Sequence, residues 1–372
     1  MRRETTTVMT IVIALVTLGV LMVYSASAVN AEFSTLLKKQ LIALFIGSAA
    51  MLVASRFDYH HFAKPRFFCA VVGFAVLSLV LVLLPGVGRE VDGGRRWILI
   101  PVINFNYQPS EFAKFAVIVA IAHTLTTYRE RVTTFLWGFL LPLSIACLFA
   151  VLVLAERDLG VPVIMMGVAY IMMSTAGTRW RYLMLSAAPA AGLLWLLVLW
   201  APHRMIRLLA FLDPWNHRDK AGWQLIQSFS AFARGSLTGL GAGASEQKLG
   251  YLPAAHTDFI FAVVGEEFGL VGTLTVVSLF AILLVAAVRI AMNAQDLFGA
   301  LLAVGITGLI TMQAVFIMAV TTGLLPTKGL PLPFISYGGT SLIVFLGLIG
   351  VLVNVGVQAQ DGSRERRLIP AV

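Results

Sequence analysis

Runs of about twenty apolar residues, the length that crosses a bilayer as a helix, recur along nearly the whole of this 372-residue chain. They fall at approximately 8–28, 38–55, 66–84, 111–127, 134–154, 160–176, 183–200, 262–290, 297–321 and 337–357. A soluble domain has no use for ten such runs, and only 12% of the residues are charged. The expected fold class is therefore an all-α polytopic membrane protein with about ten transmembrane helices, read as a single membrane domain over residues 1–372. Two segments break the rhythm. Residues 85–110 are rich in Gly and Pro, and residues 201–261 form a large extracytoplasmic loop between spans seven and eight. Loops this long in a helical bundle tend to carry function. No internal repeat is visible, which weakens a secondary-transporter reading.

Charge sets the expected orientation. Ten spans put both termini on one side, and Arg2, Arg3, Arg364, Arg366 and Arg367 mark that side as cytoplasmic. Arg56, Lys64, Arg66, Arg129, Arg131, Arg179, Arg181 and Arg289 fall in short connections on the same side, in accord with the positive-inside rule. A cytoplasmic tail is expected from about residue 358 to 372. Arg2-Arg3, the first apolar run and Ala26-Ser27-Ala28 imitate a secretory signal, but cleavage would strand the charge pattern of the other spans. Cys69 and Cys147 both lie in apolar runs, so no disulfide framework is expected. The net charge of +9 fits anionic lipid or phosphate partners at a membrane better than nucleic acid.

Several polar residues lie where apolar ones would suffice. In Gln108-Pro109-Ser110-Glu111-Phe112-Ala113-Lys114, Pro109 suits a helix first turn, Ser110 can cap, and Glu111 suits the positive dipole end. Glu111 and Lys114 share a helix face. They are either a neutralised pair at a span entrance or a lining of an internal polar cavity that helps place a site. Arg95, Arg96, Arg157, Arg204, Arg207, Arg234, Lys248 and Lys328 map to the outer face or its boundary. Each alone could simply meet lipid head groups; as a set they suit a pyrophosphate, whose oxygens match guanidinium forks. Asp258 follows His256-Thr257 at the point where the long loop enters span eight. A carboxylate at that boundary is costly and usually has a task, although Thr257 or Asp258 could merely cap the helix. Positions 258, 262 and 266 would share one helix face, so Asp258, Glu266 and Glu267 suggest a polar cavity, a metal site or a proton path. The Pro- and Gly-rich stretch 323–341 is expected to form a re-entrant loop before span ten, with Lys328 and Ser336 facing the Asp258 cavity.

These runs together resemble the SEDS family of shape, elongation, division and sporulation proteins, membrane peptidoglycan glycosyltransferases that include FtsW and RodA. The resemblance covers nearly all ten spans. It rests on Arg95-Arg96-Trp97-Ile98, Gln108-Pro109-Ser110-Glu111, Asp158-Leu159-Gly160, Phe211-Leu212-Asp213-Pro214-Trp215, Gln224-Leu225-Ile226-Gln227-Ser228, Lys248 to Glu267, and Pro331-Leu332-Pro333-Phe334-Ile335-Ser336-Tyr337-Gly338-Gly339. The wording of the Lys248–Glu267 run is nearer the FtsW branch than the RodA branch. The resemblance implies an inverting glycosyl transfer from lipid II, the undecaprenyl-pyrophosphate disaccharide peptide, to the 4-hydroxyl of an acceptor GlcNAc, with release of undecaprenyl pyrophosphate. It makes Asp258 the required residue, a general base for the attacking hydroxyl, with Arg95, Arg96, Glu111, Lys114, Arg204, Arg207, Lys248, His256, Lys328 and Ser336 as candidate substrate-binding residues. It allows help from a divalent cation, Mg²⁺ or Mn²⁺, for which the sequence names no ligands.

The implied location is the bacterial inner membrane, with the active site on the extracytoplasmic side. The implied partners are a class B penicillin-binding transpeptidase and other division or elongation membrane proteins. Two positions depart from the family wording: Arg157 stands where Pro is common, and Ile317 where Asn is common. A lipid II flippase or ion-coupled transporter is the rival reading, and a scaffold without chemistry is a third.

Overall fold

The computed structural model describes residues 3–27, 33–91, 93–101, 105–218 and 221–368. Arg2, Ala28 and Asp92 lie outside these described residues. In chain order the helices are α1 (Arg3–Ser27), α2 (Phe33–Arg56), α3 (Pro65–Leu83), α4 (Pro109–Thr127), α5 (Leu141–Ala155), α6 (Gly160–Ala176), α7 (Trp180–Leu199), α8 (Pro202–Leu212), α9 (Ala221–Gly235), α10 (Ile260–Met292), α11 (Leu297–Thr321) and α12 (Gly339–Leu368). A π-turn over Leu136–Leu140 leads into α5. The ten apolar runs read from the sequence fall in α1–α7 and α10–α12. Among the described residues, eight helices are long and apolar enough to cross a membrane, and α6 is shorter. The remaining one, α4, carries Glu111 and Lys114 but is buried along almost its whole length, so neighbouring helices shield its charges from lipid. At the other extreme, α7 buries only Leu183 and stands at the edge of the bundle.

Sequence periodicity did not reveal everything in the two long segments. Residues 88–107 form an antiparallel three-stranded sheet, β1 (Gly88–Val91), β2 (Gly94–Ile100) and β3 (Phe105–Tyr107), in which Arg89 pairs with Trp97 and Leu99 with Asn106. The 201–259 segment contains α8 and α9. Both are amphipathic, and α8 exposes Ile206, Leu209 and Leu212, as suits a helix lying in a membrane interface. At the far end of the chain, α12 runs to Leu368 where a tail was expected from residue 358. The side chains of Arg364, Arg366 and Arg367 lie outside what is described.

The continuous span expected over 262–290 is broken. At Gly269 the backbone takes φ 63° and ψ −158°, a region essentially reserved for glycine. The segment 236–241 enters the break. Leu240 and Gly241 donate to the carbonyls of Glu266 and Glu267 at 3.0 Å each, while Leu270 and Val271 donate to the carbonyls of Ser236 and Leu237 at 2.9 and 3.2 Å. Backbone groups freed by the break are thus satisfied by a second chain segment, a requirement inside a membrane protein. The outcome is a short half-helix, 260–268, carried on a longer one.

The stretch 322–338 is non-helical, as expected, and its Leu332, Phe334 and Ile335 are buried. Gly19 of α1 shows how deep it reaches. A Cβ at Gly19 would lie 2.4 Å from the Phe334 carbonyl oxygen, so only glycine admits the loop there. Gly19 lies roughly 12 Å along the helix from the Ser27 end of α1.

The opposite end is closed by polar contacts of the 57–64 turn. Tyr59 N–H donates to Asn354 Oδ1 at 3.0 Å, Tyr59 OH donates to Asp296 at 2.9 Å, and Gln358 donates to Asp58 at 2.9 Å. Hydrogen bonds from Gln358 and the His60 backbone and ring hold the Asp58 carboxyl down at about 2 although burial opposes them.

Candidate active site

The loops preceding α4, α6, α8, α10 and α12 meet at one end of the bundle. Asp258 lies in the turn ahead of α10, and neither it nor Thr257 caps that helix. The N-cap is Phe259, with no side-chain bond, and the Thr257 hydroxyl donates instead to the Ala254 carbonyl. Asp258 is partly exposed. Gly329 of the 322–338 loop lies against it, so close that a Cβ at 329 would be 2.8 Å from Asp258 Oδ2. Protein packed around the carboxyl strips its hydration and pushes it up to about 7, against the pull of Arg207, Lys328 and Arg96 and with Asp158 adding to the rise. A carboxylate poised near neutrality suits general-base work.

The strand, the α5–α6 turn and the buried loop bring the cations together. Side chains alternate across β2, so Arg95 and Arg96 point to opposite faces. Arg96 turns to the α5–α6 junction, donating from Nε to the Glu156 carbonyl at 3.2 Å and from Nη2 to the Arg157 carbonyl at 2.8 Å. Lys328 forms an ion pair with buried Asp158 at 3.1 Å. Its stem packs on Gly160, where a Cβ would meet Lys328 Cε at 3.0 Å. Asp158 also accepts from Gly160 N–H at 2.9 Å, and Lys328 is the strongest influence holding its carboxyl below the usual range against burial. From α8, Arg204 donates to the Leu197 carbonyl at 2.8 Å, while exposed Arg207 acts on both Asp258 and Lys328. Arg157 takes φ 62°, which a proline ring cannot adopt, so the turn here differs from one built on Pro.

Other candidates hold the loops in place. The Ser336 hydroxyl donates to the Thr257 carbonyl at 2.5 Å and accepts from Leu332 N–H at 2.8 Å, and Tyr337 N–H donates to the His256 carbonyl at 2.9 Å. Ser336 and His256 thereby strap the two loops that carry Lys328 and Asp258. Burial pushes the His256 ring below its ordinary value, which favours the neutral form. Glu111 and Lys114 are a buried pair at 2.9 Å. Lys114 also donates to Gln313 at 2.8 Å, and Gln313 donates to the Pro331 carbonyl at 2.8 Å. The pair therefore anchors the loop from beneath. Ile317 is fully buried in α11.

Three expectations need correction. Arg95 faces away from the junction and sits 3.7 Å from Glu90. Glu266 does not share a helix face with Asp258, because α10 begins only at Ile260. It accepts instead from Ser245, Glu246 N–H and Gln247 N–H, which pins the 245–247 turn. Lys248 is consumed by Ser25, the Gly243 carbonyl and Glu267, at 2.8, 2.6 and 3.1 Å. Those three acceptors use its three donors, so none remains for a phosphate. We expect Lys248→Met to cost about 3–5 kcal/mol by leaving Glu267 buried without its cation. Adding Glu267→Gln should restore most of the loss, as read by thermal unfolding in detergent. A raised KM for substrate at unchanged stability would instead return Lys248 to the binding set.

In the sequence Asp158 stands out only within the motif Asp158-Leu159-Gly160, and Glu156 not at all. The signal for both is a pair of carboxylates in a four-residue turn between two apolar helices. Among the described residues no three His, Cys, Asp or Glu side chains form a metal-holding group. The donor set at Asp258 does not suit a resident divalent cation. Asp158 is committed to Lys328, and the field of Arg96, Arg207 and Lys328 repels a second cation. The arrangement can take a proton at Asp258 beside cations able to face an anionic group.

The comparisons agree with one another. The FtsW/RodA/SpoVE cell cycle protein family model matches residues 5–361. A probable peptidoglycan glycosyltransferase FtsW of Geobacter metallireducens is 44% identical over 351 residues, covering 93% of this chain and 92% of the relative. Stage V sporulation protein E of Bacillus subtilis is 40% identical over 351 residues, covering 93% and 94%. Among solved structures, a chain from work on structural coordination of polymerization and crosslinking by a peptidoglycan synthase complex superposes with a TM-score of 0.78 at 28% identity, over 95% of this chain and 97% of that one. The rod shape determining protein RodA of Thermus thermophilus gives a TM-score of 0.71 at 26% identity, over 95% and 96%. With its membrane helices, its buried loop and its gathered end, this chain belongs to the FtsW/RodA/SpoVE family.

Proposed function

We propose that this multi-pass membrane protein is a peptidoglycan glycosyltransferase that polymerises lipid II, with Asp258 as its general base. One observation carries the reading: where the long loops gather, Asp258 lies against Gly329 of the loop that carries Lys328, and the charges of Arg207, Lys328 and Arg96 act on its carboxyl. In the reaction the acceptor 4-hydroxyl oxygen attacks C1 of the donor MurNAc from the face opposite the leaving group. The C1–oxygen bond to the diphosphate breaks, its electron pair leaves with undecaprenyl pyrophosphate, and the hydroxyl proton passes to Asp258. Charge developing on the diphosphate is met by Arg96, Arg207 and Lys328, with Arg204 beside them. A diphosphate leaves as an anion, so no second carboxylic acid is needed to protonate it. No step is assigned to a metal.

The reading places the site on the extracytoplasmic side of the inner membrane, with both termini in the cytoplasm, and gives the chain a class B penicillin-binding transpeptidase as partner. The transporter reading requires a polar route through the bilayer. Among the described residues, the core beyond the Glu111–Lys114–Gln313 chain is filled by Ile118, Ile121, Leu125, Leu302, Ile306 and Ile349, which favours the enzyme reading.

The test is to purify the chain with its transpeptidase and supply lipid II. Glycan polymer is expected. Absence of polymer, together with lipid II movement across sealed vesicles, would move the assignment to a transporter. Asp258 must be ionised to accept a proton, so the initial rate should fall about tenfold for each pH unit below about 7. A rate independent of pH between 5 and 7 would remove Asp258 as the base.

A further inference from the structure

The proposed reaction leaves one buried carboxyl without a task. Glu156 follows α5 directly, two residues before Asp158; it is fully buried, and neither carboxyl oxygen has a partner at hydrogen-bond geometry. Its place at the C-terminal end of a helix sets it in the negative end of the dipole, where an anion is disfavoured. Arg157 and Asp158 belong to its own turn. Arg96 reaches over from β2, bonded to the backbone carbonyls of 156 and 157 and not to the carboxyl. Tyr107 of β3 feels its charge, and burial keeps that phenol un-ionised. Ser110 at the start of α4 is its hydroxyl neighbour, and accepts from Gln108 Nε2 at 3.1 Å. Lys328 and Arg204 stand behind Asp158 and Arg96. Burial first, and Asp158 second, push the Glu156 carboxyl up to about 9, while Arg96 and Ser110 oppose the rise.

We infer that Glu156 is a positioning residue that works in its protonated form: a neutral carboxyl beside Arg96 leaves that guanidinium's charge free for the diphosphate of the substrate. The inference rests on the glycosyl-transfer reading above. Ionised, Glu156 would put a second anion into the turn that already holds Asp158. It would draw the Arg96 guanidinium from the carbonyls that aim it and cancel its charge in a poorly hydrated setting, where such pairing is strong. The burden would fall on binding of the anionic substrate, and so on KM.

The experiment compares the wild-type complex with Glu156→Gln, which keeps the shape and cannot ionise. KM for lipid II is measured from pH 7 to pH 10 in both. Deprotonation of Lys328 and of the substrate is common to the two, so the difference isolates Glu156. In the wild type KM should rise about tenfold more across this range than in the variant, the effect of about one unit of charge coupling. Equal rises would overturn the inference while leaving the glycosyl-transfer reading standing. A wild-type complex that makes no polymer at any pH would remove the reading and the inference with it. Should Glu156→Gln fail to fold, Glu156→Met, also non-ionisable, takes its place with the same two outcomes.

Discussion

Asp258→Asn should reduce lipid II polymerisation by about 10²–10⁴-fold, the range expected when a general base is removed. The change is nearly isosteric, so the packing of Gly329 against the side chain is kept. Its carboxyl is raised in the folded protein, so the ionised form is disfavoured there relative to the unfolded chain. By linkage, the unfolded chain loses this proton at lower pH, and stability falls as pH climbs from about 4 toward about 7. Removing the charge should therefore preserve or raise thermal stability at pH 8. Low activity with an intact melting transition and intact partner binding is the expected combination. Polymer made by Asp258→Asn at within about tenfold of the wild-type rate would show that the proton goes elsewhere.

Lys328→Met should lower the rate by about 10²–10³-fold, the cost of deleting one electrostatic contact to a developing anion, and should also destabilise the protein. The two effects have different origins. Asp158 is buried and paired with Lys328, so loss of the ammonium leaves an uncompensated carboxylate inside the fold. The double variant Lys328→Met with Asp158→Asn removes that structural penalty and should melt close to the wild type. It should remain slow, because the cation that faces the leaving group is still missing. Recovery of the wild-type rate in the double variant would mean that Lys328 serves only to neutralise Asp158. Lys328→Arg tests the geometry separately. The lysine stem lies against Gly160 and Leu330 lies alongside, which leaves little room for a planar guanidinium.

The path from sequence to site shows where local signals stop. Asp258 was legible because a carboxylate at the edge of an apolar run is expensive, whatever surrounds it. The non-helical 322–338 loop was legible because its prolines and glycines cannot continue a helix. Lys248 misled because its sequence neighbours are polar loop residues, while its actual partners, Ser25 and Glu267, come from two helices far apart in the chain. Arg95 and Arg96 read alike in sequence, and only the strand's alternation set them on opposite faces. The break at Gly269 hid inside an apolar run, since one glycine in such a run does not reveal the segment that will enter beside it.

What the sequence by itself determined is the set of apolar helices, the end at which the long loops gather, and the carboxylate we propose as the base. Those follow from transfer free energies and backbone limits that act residue by residue. What only the tertiary structure decided is which charges are spent. Lys248, Glu266 and Glu267 are consumed in holding the fold, Lys114 in propping the loop, and Arg96, Arg207 and Lys328 stand around Asp258. A charged side chain's role depends on whether its partners lie within hydrogen-bond reach. In a bundle those partners come from distant helices, so no local reading of the chain contains them.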